Sequence, residues 1–259
     1  MLRRGQRAHR TIGVREKVKF NHIKAVLLDS GQVLNTTATG NWFVSPRYFD
    51  TVDRARYDAL DPDKRRAAHR KALAYLDAQT RIVTLEEELT HFGRYYEIFF
   101  EELPELHVSR KQAQEVAADL VYNTDKYRFY DDAYRMLNAL RWRCKLAVVS
   151  NAWPSLREGY KAFGLYDRFD AFVISSELGT TKPDSAMYRE ALRQLGVLPE
   201  EALLVDDVAV NCESASAIGI HALMLCRNPW KYRAYQWRNL FRPYGTIPNL
   251  DVLDRMVGR

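Results

Sequence analysis

Asp29 follows the apolar run Ala25–Leu28 and is itself followed by Ser30 and Gly31. Ser150 and Asn151 end a second apolar run, Leu146–Val149. Lys182 stands in Thr180-Thr181-Lys182-Pro183-Asp184, just ahead of a helical pattern. Asp206 and Asp207 close a third run, Ala202–Val205, with Asn211 four residues beyond Asp207. Singly these are ordinary: Asp and Gly are turn residues, a strand-end Ser is a cap, and a Lys-Pro pair belongs on a surface. In this order they suit phosphoryl transfer, which needs an in-line nucleophile and positive charge around three equatorial oxygens. A carboxylate can be that nucleophile, carrying the phosphoryl group covalently. Two or three carboxylate oxygens suit Mg²⁺. A lysine can neutralise nucleophile and phosphate together, while a hydroxyl and backbone amides hold a phosphate oxygen.

These residues have to be positioned by strands. Five continuous apolar runs read as strands: Ala25–Leu28, Leu146–Val149, Ala171–Ile174, Ala202–Val205 and His221–Leu225. Unbroken rather than alternating runs indicate a sheet buried on both faces. Residues 184–195 place Met187, Ala191 and Leu195 on one helical face and stop at Gly196, and residues 211–218 form a shorter helix before Gly219. Alternating strands and helices predict an α/β fold, a doubly wound parallel sheet. Ligands of such sheets bind beyond the carboxyl ends of the strands, where Asp29, Ser150 and Asp206 stand.

Between the first run and the second lie about 115 residues with no strand pattern. Thr84 and Glu87 form a capping box, followed by a stripe of Leu85, Leu89, Phe92, Tyr96 and Phe99. Ser109 and Gln112 form a second capping box, and the charged segment from Asp61 to Leu76 supplies a third helix. The expected organisation is a discontinuous α/β core, residues 21–39 and 126–259, with a smaller all-helical cap at 40–125 and a basic tail at 1–20.

The four motifs in this order resemble the haloacid dehalogenase (HAD) superfamily, among its members with a helical cap inserted after the first motif. The resemblance covers about residues 23–225. It implies a HAD-like Rossmannoid core and an Mg²⁺-dependent hydrolase. Asp29 would be nucleophile and metal ligand, and Lys182 the charge-neutralising catalytic lysine. Ser150, Asn151 and Lys182 would bind the substrate's phosphate. Asp207 and Asp206 would hold Mg²⁺, with the carbonyl of Gly31 as a further ligand.

The chain departs from the pattern at Gly31. Most phosphatases of the superfamily carry a second Asp there, a general acid and base, and such catalysis contributes on the order of 10² to 10⁴ in rate. The leading reading is a phosphatase for a small phosphorylated metabolite whose leaving group needs less help, such as a sugar 1-phosphate. A similar subgroup has Asp-x-Gly-Asn-Val in its first motif. A second reading is a 2-haloacid dehalogenase, whose halide leaves without a proton, although dehalogenases need no magnesium and lack the acidic pair. A third is a binding or regulatory module without turnover. Asp50 and Asp53 are the carboxylates that a closing cap would bring over the site; His22 sits at the wrong end of the first strand, and Gln32 has no useful proton to give.

Composition sets the remaining bounds. The net charge of +6 comes entirely from residues 1–20, which hold seven Lys/Arg against one acid; the other 239 residues balance at 32 of each sign. A basic terminus is most simply a solvated tail, so the charge is no argument for nucleic acid. Residues 226–244 combine five basic residues with six aromatics and no acid. Interleaved basic and aromatic side chains can stack single-stranded nucleic acid. Trp230, Trp237 and Phe241 instead fit one helical face, expected to pack on the core or on a partner subunit. No apolar run approaches the roughly 20 residues of a membrane span. Cys144, Cys212 and Cys226 show no metal or disulfide spacing, which fits a reduced, cytoplasmic setting. Oligomeric state is left open.

Overall fold

A computed structural model describes Phe20 and residues 22–258. The basic tail, Phe20 apart, lies outside the described residues. The sheet is the expected one, extended by one strand. In chain order its members are β1 (Ala25–Leu28), β4 (Lys145–Ser150), β5 (Ala171–Ile174), β6 (Ala202–Asp206), β7 (His221–Leu225) and β8 (Gly245–Ile247), and the numbers missing from this series belong to β2 (Asn35–Thr37) and β3 (Tyr127–Phe129). The spatial order is β5-β4-β1-β6-β7-β8, every pair parallel.

Both faces are buried, which is why the strands are unbroken apolar runs. Val26 and Leu28 pack with Val148, Leu203 and Val205 on one side, while Ala25 and Leu27 join Ala147, Val149 and Leu204 on the other. Each fully buried Leu or Val of this set contributes roughly 1.5–3 kcal/mol. β1 lies between β4 and β6 with Leu28 opposite both Val148 and Val205. The strand order reverses at β1, and the crevice this opens is where doubly wound sheets bind ligands.

The inserted segment is helical, with one correction. Its helices include Pro62–Asp77, Leu85–Glu101 and Arg110–Tyr122, and both expected capping boxes form. Phe92, Tyr95, Tyr96, Ala117 and Val121 centre a hydrophobic cluster separate from the two around the sheet. The stretch between β1 and β4 is not strand-free, however. β2 and β3 pair antiparallel, Asn35 opposite Phe129, so the chain leaves for the helical segment and returns from it side by side. Three-residue strands, one of them Asn-Thr-Thr, are too short and too polar to leave a periodic signal, and the same brevity hid β8.

For the aromatic face of residues 226–244, the first of the two expected arrangements, packing on the core, needs a second correction. The helix Pro229–Arg238 exists, but Trp230, Trp237 and Phe241 are 78%, 69% and 95% exposed and do not pack on the core. What anchors the segment is Asn239, buried and bonded to Thr246 of β8. Among the described residues the cysteines are all free, and no helix is long and apolar enough to cross a membrane.

Tyr127 of β3 meets the helix Ser155–Ala162 where Gly159 leaves room for its ring: a Cβ on Gly159 would lie 2.4 Å from two ring carbons. In an open helix Gly→Ala stabilises by about 1 kcal/mol. Gly159→Ala is expected to reverse that sign and destabilise by about 1–3 kcal/mol, measured as a lower urea midpoint at unchanged slope.

Candidate active site

The site is assembled from three adjacent strand ends. The Asp29 amide donates to the Val205 carbonyl at 3.0 Å, so the backbone keeps to the sheet for one residue past β1. It then turns: the Ser30 carbonyl accepts from the amides of Leu34 and Asn35 at 2.8 and 3.0 Å. The left-handed residue of this turn is Gln32, φ +60°, and not Gly31. At Gly31 a Cβ would meet Cζ2 of Trp42 at 3.8 Å, an ordinary contact, so neither the turn nor its surroundings require glycine there. The Ser30 hydroxyl, bonded to Tyr160 at 2.9 Å and to the Asn35 amide at 2.7 Å, holds the turn from beneath.

Lys182 joins the strand ends. Its ammonium donates to Asp29 Oδ1 and to Asp206 Oδ2, each at 2.7 Å, with a side chain only 2% exposed. Burial alone would lower the Lys182 pKa, but the Asp29 and Asp206 carboxylates outweigh it and hold the ammonium above its ordinary value. Asp29 is raised by its burial, against the pull of Lys182 and with a further push from Asp206. Asp206 is fixed by the Val208 amide at 2.9 Å and by the Asn211 side chain at 3.0 and 3.1 Å.

Asp207 is the carboxylate that Lys182 does not reach with a hydrogen bond. Burial and the charges of Asp29 and Asp206 push it up to about 7. Carboxylate oxygens of Asp29, Asp206 and Asp207 lie within 4.8 Å of one another. Three carboxylates against one ammonium leave negative charge uncompensated in a largely buried place, and a hard divalent cation with oxygen ligands fits such a set.

Of the residues expected at the site, Asp29, Gly31, Ser150, Asn151 and Lys182 line one cavity of about 320 Å³, and Asp206 and Asp207 complete the carboxylate cluster beside it. Asn151 has a role its sequence position did not disclose. Its side chain accepts from the Lys182 amide at 2.7 Å and donates to the Lys182 carbonyl at 3.1 Å, so it positions the lysine's backbone. Asp50 and Asp53 do not line the cavity; Asp53 caps a helix through the Arg56 amide. His22 faces His221 at 3.1 Å, at the amino end of β7.

Sequence reasoning missed a buried ionic group on the far wall. Both Glu88 oxygens accept from Ser155, one from its amide at 2.7 Å and one from its hydroxyl at 2.6 Å. Lys126 donates to that hydroxyl at 2.9 Å and to the Leu120 carbonyl. Burial pulls Lys126 down to about 8, against the carboxylates of Glu88 and Asp119. One signal was available: Glu88 shares a helical face with Phe92, Tyr95 and Phe99, an apolar stripe on which a charge calls for a partner.

A family model described as a haloacid dehalogenase-like hydrolase matches residues 23–219. The chain belongs to this family of hydrolases. Over 133 residues it is 34% identical to a phosphoserine phosphatase of Thermus thermophilus, covering 50% of this chain and 53% of that protein. It is 33% identical over 129 residues to a glyceraldehyde 3-phosphate phosphatase of Methanopyrus kandleri, covering 48% and 54% respectively. The chain thus spans about half the length of these relatives. Among solved structures, a 2-haloacid dehalogenase of Pseudomonas syringae pv. Tomato superposes with a TM-score of 0.63 over 90% of this chain and 97% of that one, at 19% identity, a likeness of fold. The parallel sheet with its flanking helices is accordingly a HAD Rossmannoid core.

The crowded carboxylates make a test that does not need a substrate. Replacing Asp207 by Asn removes a repulsive charge, so Asp207→Asn is expected to raise the thermal midpoint in chelator, by a few degrees for about 1 kcal/mol. Mg²⁺ is expected to raise the midpoint of the unaltered protein further, and Asp207→Asn to shrink that rise.

Proposed function

We propose that the protein is an Mg²⁺-dependent phosphohydrolase of a small phosphorylated metabolite, acting through an aspartyl-phosphate intermediate. The observation that carries this reading is the Lys182 ammonium, bonded at 2.7 Å to both Asp29 and Asp206 at the mouth of the parallel sheet. Lys182 engages Oδ1 of Asp29 and leaves Oδ2 to attack phosphorus. Ser150, buried at the end of β4 and lining the same cavity, is the hydroxyl for a phosphate oxygen. Asp29, Asp206 and Asp207, with the Gly31 carbonyl, would hold the metal. Bound there, Mg²⁺ supplies charge neutralisation for the transferring phosphoryl group. Water then attacks the aspartyl phosphate, releasing inorganic phosphate and restoring the carboxylate. The phosphatases among the relatives support the reaction class.

The helical segment 40–125 acts in this reading as a cap on the 21–39 and 126–259 core. Support for that role comes from its contacts at the carboxyl edge: the Ile82 amide donates to the Ser176 carbonyl at 2.9 Å, and Glu88 holds Ser155. Gly31 gives a halide-displacing reaction one argument, since a halide leaves without a proton. The Asp206–Asp207 pair counts against it, because displacement of halide has no use for a metal.

Phosphate release from sugar phosphates, nucleotides and an aryl phosphate, with Mg²⁺ and with chelator, tests the proposal. Turnover should require the metal, and Asp29→Asn should lower kcat by at least about 10³-fold, as loss of a nucleophile does, in protein of unchanged circular dichroism. Halide release from 2-haloacids, or no turnover at all in folded protein, would count for the other readings.

A further inference from the structure

The cavity above Asp29 has a polar floor and aromatic walls. Trp42 and Tyr127 stand on one side, ring centroids 6.0 Å apart. Phe92 and Trp153 meet edge to face on another at 4.9 Å, with Phe43 set against Trp153 at 6.2 Å. The aromatic lining begins beside the nucleophile, since Cζ2 of Trp42 lies 3.8 Å from the point a Gly31 Cβ would occupy. Away from the Glu88–Ser155–Lys126 wall, a flat apolar group in this space would meet aromatic surface, and a polyol would find fewer partners for its hydroxyls.

A second observation concerns protons. Among the described residues, and apart from Asp29 and Lys182, the titratable side chains lining the cavity are Glu88, Lys126 and Tyr127. Glu88 has both oxygens on Ser155, and Lys126 is held by the same serine and by the Leu120 carbonyl. Burial holds the Tyr127 phenol well above its ordinary range. None of the three is hydrogen-bonded to Asp29. Without a carboxyl at position 31, an ester is cleaved fastest here when its oxygen can leave unprotonated. A phenol, with a pKa of about 10, does so far more readily than an alkyl alcohol, whose acidity is closer to that of water at about 15.7.

We propose that the substrates are phosphate monoesters whose leaving oxygen is carried on a flat apolar group, aryl esters foremost. The inference rests on the phosphohydrolase reading and gives it a substrate class. In the first step Asp29 Oδ2 bonds to phosphorus and the P–O(aryl) bond breaks, the phenolate departing with the electron pair. In the second, water adds to phosphorus and the acyl-phosphate P–O bond breaks. The proton that this water gives up balances the one the phenolate takes from solvent.

The test measures kcat/KM with Mg²⁺ for phenyl phosphates of graded leaving-group acidity, a hexose 1-phosphate, a pyrimidine 5′-monophosphate and glycerol phosphate. Unsubstituted phenyl phosphate is expected to exceed every alkyl ester by at least about 10²-fold, the low end of what a general acid is worth. Rates within the phenyl series should fall steeply as the leaving group becomes more basic. Trp42→Ala should raise KM for phenyl phosphate at least about 5-fold, and by more than it raises KM for glycerol phosphate, with Trp42→Phe restoring most of the loss. Gly31→Asp should flatten the phenyl series. Alkyl esters within tenfold of phenyl phosphate, a nucleotide preferred to it, or a shallow series that Glu88→Gln makes steep would each overturn the inference while leaving the phosphohydrolase reading intact. No phosphate from any ester, the most activated included, would overturn both.

Discussion

Everything at the site depends on one buried cation between two carboxylates. Lys182 holds Asp29 and Asp206, which come from adjacent strands, and it is itself brought in from a loop by Asn151. Two ions of one sign placed side by side away from water would each carry a desolvation cost of several kcal/mol, and removing the shared partner of such a group costs on the order of 3–5 kcal/mol. The fold carries that burden because parallel strands end together: with Leu28 opposite Val148 and Val205, the next residues along must converge. Asp207 then adds a third carboxylate to the cluster, a set of oxygen donors that would suit a divalent cation.

In the proposed organisation the helical segment would give this charged floor a low-dielectric roof. Phe92 and Phe43 come from the insertion and Trp153 from the core, so the aromatic wall exists only where the two meet. The Glu88–Ser155–Lys126 group lies at the same junction and ties a helix of the insertion to the start of a core helix. A largely apolar cavity strengthens each interaction of the Lys182 ammonium with a carboxylate or a phosphate, because Coulomb energies grow as the effective dielectric falls.

Much of this was legible in the sequence, and what was not has physical reasons. Continuous apolar runs disclose buried parallel strands, so β1, β4, β5, β6 and β7 were readable, and with them the places of Asp29, Ser150 and Asp206. The capping boxes at Thr84 and Ser109 disclosed two helices of the insertion because capping is local chemistry. β2, β3 and β8 were hidden by their three-residue length, for their stability is tertiary. Trp230 and Trp237 obey helical spacing yet stand in solvent: periodicity reports which residues share a face, not whether a neighbour covers it. Gly31 looked like a turn glycine, but the left-handed residue of the turn is Gln32, and a Cβ at Gly31 would make only an ordinary contact with Trp42. The Asn151–Lys182 pairing spans two loops and leaves no local trace.

The central claim is covalent chemistry at Asp29, and the most direct measurement is to trap it. Protein mixed rapidly with Mg²⁺ and a nitrophenyl phosphate would be quenched in acid, digested and mapped by mass spectrometry. The account predicts phosphorylation on the peptide carrying Asp29, forming within the first turnover and absent from Asp29→Asn. Phosphate release at full rate with no phosphorylated Asp29 at any quench time would contradict it, since water would then be attacking the ester directly.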